Sequence, residues 1–225
     1  MNDLNRNMSG EPKQSRQKNK SETKLRLINA LGEILAEKGF ANVGINAIAR
    51  QAGVDKVLIY RYFDGLDGLM LAYAKEGGFW PSLEELLGSQ EQQAALLQLS
   101  LDQQFNIVIE RYAHAICSRP LTLEILAWEM IERNSLTITL EEVRESTGLA
   151  LLEMLNDSRL AQGSQSPIDF QHVSAIFSAA IHYLALRARK IKYFNGIDLS
   201  SDDEWQGLIK TMQALVSSAV QAANN

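Results

Sequence analysis

The chain has 225 residues, a formal net charge of -5 and 46% hydrophobic residues, which is enough to bury a sizeable core in one or two domains. Its single cysteine, Cys117, excludes an intrachain disulfide framework and a cysteine-based zinc site. No apolar run approaches the roughly 20 residues that span a bilayer, and the N-terminus lacks the apolar segment of a signal peptide, so we expect a cytoplasmic protein with no membrane segment.

Charge is divided unevenly along the chain. Residues 1–75 contain 12 Lys and Arg against 8 Asp and Glu, a net charge of +4, whereas the remainder contains 10 against 19, a net charge of -9. A cationic N-terminal part suggests contact with a polyanion, while the acidic remainder would repel nucleic acid. The alternative is that these cations are an ordinary basic stretch of an acidic protein.

The N-terminal part begins with a polar segment and one amphipathic helix. Residues 1–20 are polar and basic, which predicts a disordered arm. A helix is predicted from Ser21, whose hydroxyl can cap it, to Gly39. Its apolar residues recur at three- and four-residue spacing; they are Leu27, Ile28, Leu31, Ile34 and Leu35.

Two short helices follow, joined by one tight turn. The first is predicted from about Ile45 to Ala52, with Gly53 at the break, where a left-handed conformation would strain other residues. The second begins after Asp55, a good N-cap. Because Ala49 is small, the two helices can cross closely, which is typical of a helix-turn-helix.

The second short helix has two distinct faces. If Ile59 and Phe63 point into a three-helix core, the period of 3.6 residues per turn places the other face at the surface. That face carries Lys56, Val57, Tyr60 and Arg61. Its cationic and hydroxyl groups suit phosphates and guanine edges in a major groove, and Val57 and Leu58 suit thymine methyl groups. The alternative is an ordinary three-helix core with a solvated charged face.

Residues 24–73, KLRLINALGEILAEKGFANVGINAIARQAGVDKVLIYRYFDGLDGLMLAY, resemble the DNA-binding domain of the tetracycline-repressor-like (TetR/AcrR) transcriptional regulators. The most specific part is IARQAGVDKVLIYRYF, which follows the family pattern I-A-x-x-A-G-V, a capping residue, a short variable stretch and L/I-Y-x-Y/H-F. The resemblance implies a helical regulatory domain after the DNA-binding domain, a homodimer and a palindromic operator.

The same resemblance implies roles for the residues of the recognition helix. Lys56 and Val57 would approach bases or the DNA backbone. Tyr60, Arg61 and Tyr62 would approach phosphates, with Arg61 also within reach of a base. The neighbouring Leu58 stands where a small hydroxyl residue is usual in the family.

Three further positions depart from the family pattern. Val43 and Gly44 replace the hydroxyl residues that usually open the second helix and hold phosphate, and Leu66 replaces a lysine at the start of the fourth helix. We expect the basic arm of residues 1–20 to compensate, because each neutralised phosphate adds affinity through counterion release.

Helical patterns continue to the C-terminus, so the predicted fold class is all-α. The predicted organisation is a basic arm over residues 1–20, a helix-turn-helix DNA-binding domain over 21–65, and a helical effector-binding and dimerisation domain over 66–225. Within the last of these we predict a short helix or turn around Pro81 and a polar loop at 160–167. The longer helices are predicted at about 66–76, 91–119 (single or broken), 121–134, 136–159, 168–190 and 202–223.

The last two helices each carry an apolar stripe. In the family the corresponding helices pair with their copies as a four-helix bundle, which implies a dimer interface. The alternative is that the stripes complete a monomer core. The predicted interface residues are Phe177, Ile181, Leu184, Leu208, Met212 and Leu215.

An effector pocket is implied by the family and would lie among the preceding helices. Few buried charges are evident there, which favours a small, largely apolar effector over an anionic one. The alternative is that an aromatic and methionine stripe of this spacing is plain core. The predicted lining residues are Phe105, Ile109, Tyr112, Trp128, Met130 and Met154.

Enzymatic chemistry is not indicated. His114, His172 and His182 lack paired metal-ligand spacing, and there is no phosphate-binding glycine motif or nucleophile elbow. We expect a structural role for His182, and neither a metal nor a cofactor.

We therefore interpret the protein as a repressor that binds a palindromic operator as a homodimer and is released by a ligand. The effector would increase the separation of the two recognition helices. The alternative is a DNA-bound adaptor of the same fold that recruits a protein and has no effector.

Overall fold

The computed structural model describes residues 13–76, 78–161 and 169–223, which are mainly α-helical. The predicted all-α fold class is confirmed. The helices form two compact units, one up to residue 77 and one from residue 78 onward. No helix of the described residues is both long and apolar enough to cross a membrane.

The N-terminal unit is a small helical core built around its first helix. It contains α1 (Lys13–Lys38), a 3-10 turn (Phe40–Asn42), α2 (Ile45–Ala52), α3 (Val57–Phe63) and α4 (Leu66–Glu76). α1 packs against α2 and α4, and α3 packs against α4. The fully buried side chains include Leu27, Leu31, Ile34, Leu35, Ile48, Ile59, Leu69 and Tyr73, so the stripe predicted on the first helix does face the core.

α1 begins at Lys13, eight residues before the predicted start at Ser21. The prediction of a disordered arm is therefore wrong for residues 13–20, and residues 1–12 lie outside the described part. The polar composition of residues 13–20 predicts disorder, but the Lys, Gln and Arg residues of this segment have good helix propensity. Within this part of α1, the hydroxyl of Thr23 donates to the carbonyl oxygen of Asn19 at 2.7 Å.

α4 packs with the N-terminal unit, whereas the sequence assigned it to the effector domain. Leu69, Tyr73 and Ala74 of this helix are buried. Gly68 lies so close to the end of α3 that a Cβ would stand 1.6 Å from the carbonyl oxygen of Phe63. The boundary between the two units therefore falls near residue 77 instead of residue 65.

The C-terminal unit contains seven α-helices among the described residues. They are α5 (Leu83–Leu87), α6 (Gln90–Leu96), α7 (Leu101–Cys117), α8 (Pro120–Glu129), α9 (Ser135–Ala161), α10 (Phe170–Ala188) and α11 (Asp202–Ala223). The predicted 91–119 segment is broken, since Gln103 accepts from the backbone N–H of Ser100 at 3.2 Å and starts a new helix. Of the predicted loop at 160–167, residues 160 and 161 belong to α9. The remaining residues of that loop lie outside the described part.

α7 lies between two apolar clusters. Phe105, Ile109 and Ile116 join one cluster with side chains of α8, α10 and α11. Val108 joins the other with side chains of α5, α6 and α9. Two sides of α7 are therefore buried in the core.

A short β-hairpin between α10 and α11 was not predicted. Its strands are β1 (Tyr193–Phe194) and β2 (Ile197–Asp198), paired antiparallel. Asn195 and Gly196 have φ angles of 50° and 83°, as a tight turn of this kind requires. Asn-Gly is a strong hairpin signal, but the sequence analysis assigns no element to the segment between the two helices.

Candidate nucleic-acid interface and ligand cavity

The exposed face of α3 carries cationic and aromatic side chains. Ile59 is fully buried and Phe63 nearly so, whereas Val57 is 60% and Tyr60 56% exposed. Lys56 and Arg61 are exposed as well. The helix therefore presents to solvent the same four residues that the 3.6-residue period predicts.

The turn before α3 is held from α1. Gly53 ends α2 with φ 63° and ψ 39°, a left-handed conformation that a Cβ would strain. The guanidinium of Arg26 donates to the carbonyl oxygens of Ala52 at 2.5 Å and Gly53 at 3.3 Å. Asp55 then accepts from the backbone N–H of Val57 at 2.8 Å and caps the start of α3. These bonds set the angle at which α3 leaves the turn.

Further cations lie beside α3. The ammonium group of Lys20 is 5.7 Å from the ring centre of Tyr62, and that of Lys24 is 5.3 Å from the ring of Phe63. The guanidinium of Arg61 is 6.0 Å from the ring of Tyr62. Both lysines belong to α1, so the first helix enlarges the cationic surface of the recognition helix.

A cavity of about 280 Å³ lies inside the C-terminal unit, near the lower end of the range of roughly 300–1,000 Å³ for small-molecule sites. Its walls come from α7, α9 and α10, with Trp80 and Leu86 from the preceding segment. Most of the lining is apolar, and the chief apolar residues are Phe105, Val108, Ile109, Leu149, Leu151, Leu152 and Leu155.

Part of the cavity wall is polar. The hydroxyl of Tyr112 and Nε2 of His182 are 2.5 Å apart, and the rings of both pack edge-on against Trp80. The guanidinium of Arg144 lies 5.7 Å from the Trp80 ring centre and also lines the cavity. Arg144 Nη1 is 2.5 Å from Oε2 of Glu129.

Burial changes the titration of these groups. It lowers the pKa of His182 from 6.5 to about 4, with a smaller contribution from the positive charge of Arg144, and it raises the pKa of Tyr112 well above its usual value. It also raises the pKa of Glu129, although Arg144 opposes the rise. Near neutral pH, His182 and Tyr112 are therefore uncharged.

A larger and more open groove of about 1,020 Å³ follows the other face of α7. Its walls include charged side chains of α7, α10 and α11, among them Arg111, Arg189 and Asp202. Among the described residues there is no cluster of three or more His, Cys, Asp and Glu side chains that could hold a metal ion.

Residues 27–73, the segment that forms most of the N-terminal unit, match the family described as bacterial regulatory proteins, tetR family. Over this segment the chain is similar to the tetR-family regulatory proteins. The matched segment spans α1 from Leu27, both helices of the helix-turn-helix, and most of α4.

Solved structures share the fold over most of the chain. The fatty acid degradation regulator FadR of Bacillus halodurans has a TM-score of 0.60 at 17% identity, with 86% of this chain and 93% of that chain covered. FadR of Bacillus subtilis, solved in complex with stearoyl-CoA, has a TM-score of 0.59 at 18% identity, with 87% and 98% covered. At these identities the likeness shows the fold alone.

A curated relative is similar over a shorter stretch. The fatty acid metabolism regulator protein of Bacillus subtilis is 28% identical over 97 residues, which cover 42% of this chain and 50% of the relative. The match therefore spans half the length of that relative.

The predicted DNA-binding residues all lie on α3 or at its start. Leu58 and Tyr62 are only partly exposed, unlike the four residues of the exposed face. Gly44 stands at the N-cap of α2 without a side-chain cap bond, as the loss of the usual hydroxyl implies. The contacts of these residues with DNA remain a prediction.

The predicted pocket residues of the regulator divide into two sets. Phe105, Ile109 and Tyr112 line the cavity of about 280 Å³. Trp128, Met130 and Met154 do not line it; Met154 packs against the cluster around α5 and α9. Met130 is 83% exposed, because α8 ends at Glu129 instead of continuing to residue 134 as predicted.

The predicted dimer residues lie mostly inside the chain's own core. Ile181, Leu184 and Met212 are buried, and Phe177 packs against the cluster that contains Ile181 and Met212. Leu208 is half-buried, and only Leu215, at 59%, is strongly exposed. Both helices are apolar on two faces, so the stripe identified from the sequence was the inner one. A residue buried in its own chain is not available to a second copy.

Sequence reasoning missed the polar part of the cavity wall. Trp80 precedes α5, and Arg144 and Glu129 meet across the connection between α8 and α9. His182 was expected to be structural, yet it lines the cavity. The small residues Ser174, Ala175 and Ser178 line the cavity as well.

Proposed function

We propose that this regulator is a repressor that binds a palindromic operator as a homodimer and is released by a small, largely apolar ligand. The observation that carries the proposal is the exposed face of α3, where Lys56, Val57, Tyr60 and Arg61 lie outside a helix anchored by Ile59 and Phe63. Such a face fits a major groove, with phosphate contacts positioning the helix and base contacts specifying the sequence.

The exposed side of α10 and α11 supports a dimer. Ile176 is 64%, Tyr183 50% and Leu215 59% exposed, and the small residues Ala179 and Ala219 are exposed as well. Positions 176, 179 and 183 share one helix face, as do 215 and 219. An apolar surface of this kind suits a four-helix interface with a second copy. Two copies would place their α3 helices one DNA turn, about 34–36 Å, apart.

The cavity supports a ligand-responsive regulator. It is lined mostly by apolar side chains, and a fold relative was solved with stearoyl-CoA, so we infer a ligand with an apolar body here too. Release follows if the ligand binds a state with weaker DNA affinity, since coupling is a difference in affinity between two states.

The adaptor alternative would use an exposed apolar groove and no effector. The groove on the other face of α7 has charged residues among its walls, and the interior is not completely filled. These observations favour the regulator. If the protein stays bound to its operator in the presence of every molecule that binds the cavity, the adaptor would be favoured.

Selection of bound fragments from genomic DNA provides the operator for a direct test. We then expect Arg61→Ala to weaken operator binding by about 1–3 kcal/mol, roughly tenfold or more, and Lys56→Ala to reduce the salt slope by about one. Fluorescence anisotropy at several salt concentrations measures both.

Arg133→Ala is the matched control, because it removes an exposed cation from the C-terminal unit and should leave operator affinity unchanged. No preference of the unsubstituted protein for any duplex over random competitor would overturn the proposal.

A further inference from the structure

The cavity wall contains one cation, and that cation is already balanced. Arg144 is the positively charged residue of the lining, and its Nη1 lies 2.5 Å from Oε2 of Glu129, with side-chain exposures of 24% and 13%. A second acid, Glu145, also lines the cavity. His182 adds no charge near neutral pH, since burial lowers its pKa to about 4. An incoming anion would therefore find no unbalanced positive charge.

The same wall has unused hydrogen-bonding capacity. A guanidinium has five N–H donors, and Arg144 gives one of them to Glu129. Oε1 of Glu129 is buried and has no hydrogen-bond partner among the described residues, but Glu129 itself does not line the cavity. Tyr112 is bonded to His182 and to Ser178, so the second ring nitrogen of His182 offers a donor or an acceptor according to its tautomer. Donors of Arg144 and this group of His182 thus remain at one part of a mostly apolar cavity.

We infer that the ligand of this cavity is uncharged, with an apolar body and a head group, such as an amide, that both donates and accepts hydrogen bonds next to Arg144, Tyr112 and His182. The inference rests on the proposed function, because it takes this cavity as the effector site. A carboxylate of equal length is disfavoured, since it would lose its hydration without gaining a free counter-charge. An ammonium group is disfavoured as well, because Arg144 would repel it, Glu129 is already paired, and the charge of Glu145 is exposed to solvent. The volume of about 280 Å³ limits the enclosed part to a small molecule.

Three probes with the same eight-carbon chain test the charge of the head group: octanamide, octanoate and octylamine. Binding to the full chain is measured near neutral pH by calorimetry and by tryptophan fluorescence, because Trp80 lines the cavity. We expect octanamide to bind at least tenfold more tightly than either charged probe. Equal or tighter binding of octanoate or octylamine, or binding of none of the three, would overturn the inference.

Glu129→Gln tests the cause of the preference. The substitution keeps the shape of the side chain but leaves Arg144 without its partner charge, so octanoate should gain tenfold or more relative to octanamide. Glu142→Gln, an exposed acid of the same helix as Arg144, removes one negative charge outside the cavity and should not change the ratio. An unchanged ratio in a folded Glu129→Gln protein would contradict the charge argument. The comparison on the unsubstituted chain stands whether or not this variant folds.

Failure of the head-group inference is distinguishable from failure of the proposed function. Operator release by octanamide is measured separately from its binding. A protein that prefers octanamide yet keeps its operator would contradict ligand release and support the inference. A protein released from its operator by octanoate more readily than by octanamide would support ligand release and overturn the inference.

Discussion

His182 is a neutral imidazole between Tyr112 and Trp80, and its surroundings make the C-terminal unit sensitive to acid. Its pKa is about 4 in the folded chain against 6.5 for an ordinary histidine. Between these values the unfolded chain binds a proton that the folded chain does not. Stability therefore falls as pH falls from about 6.5 to about 4, and it is fully present above this window.

We expect this histidine alone to contribute a slope of about 1.4 kcal/mol per pH unit to the free energy of unfolding within the window. Denaturant unfolding followed by tryptophan fluorescence measures the slope, since Trp80, Trp128 and Trp205 all lie in the C-terminal unit. His182→Gln should lose this contribution, whereas His114→Gln, at an exposed position, should retain it. Equal slopes in the two variants would contradict the assignment.

Residue-level prediction succeeded where the pattern was local. Ile59 and Phe63 are buried and Lys56 and Arg61 exposed, because one helical period decides all four positions. The partnership of Arg144 with Glu129 depends on how α9 returns against α8. No spacing in the sequence encodes that distance.

The connection between α3 and α4 depends on two backbone features of its short turn. Asp64 and Gly65 both have positive φ angles, 60° and 108°. Gly68 then lets the first turn of α4 approach the carbonyl oxygen of Phe63, where a Cβ would stand 1.6 Å away. The orientation of the recognition helix relative to α4 therefore depends on a glycine at position 68, because glycine has no Cβ.

Gly68→Ala should destabilise the N-terminal unit by about 3 kcal/mol or more, because the backbone of α3 must move. Circular dichroism during denaturant unfolding measures the change. Gly148→Ala is the control, since this glycine is also inside a helix and a Cβ there has nothing within 4 Å. It should be neutral or stabilising by up to about 1 kcal/mol. A small effect at both positions would contradict the close approach.

At the level of elements, the sequence predicted the bounds of α2 and α4 because their ends carry local signals such as Gly53. It placed the start of α1 at Ser21 instead of Lys13, because a polar helix carries no apolar pattern before it reaches the core. It extended α8 beyond Glu129 for the opposite reason, since Met130 and Ile131 continue the apolar run yet are both 83% exposed.

For the whole molecule, the apolar outer face of α10 and α11 is the surface on which the proposed dimer, and with it the proposed operator binding, would depend. Leu215 lies on this face and is 59% exposed. A charge placed there would be buried between two copies without a partner, which is costly. The sequence predicted that these helices associate, but it could not separate their inner and outer apolar faces, because both carry the same types of residue.

Leu215→Glu should therefore weaken dimerisation at least tenfold and reduce operator affinity with it. Analytical ultracentrifugation over a concentration series measures the first effect and anisotropy the second. Leu160→Glu is the matched control, because Leu160 is 61% exposed on α9. An unchanged mass for Leu215→Glu would place the interface elsewhere.

The hydrogen bonds of Arg26 to the carbonyl oxygens of Ala52 and Gly53 separate the support of α3 from the side chains that we propose to read DNA. The support lies inside and behind α3, and the four exposed residues contribute little to it. Exposed positions usually tolerate exchange within about 0.5 kcal/mol. The DNA sequence that the protein prefers can therefore change, in evolution or by design, through substitutions at those four positions, while the residues that support α3 stay the same.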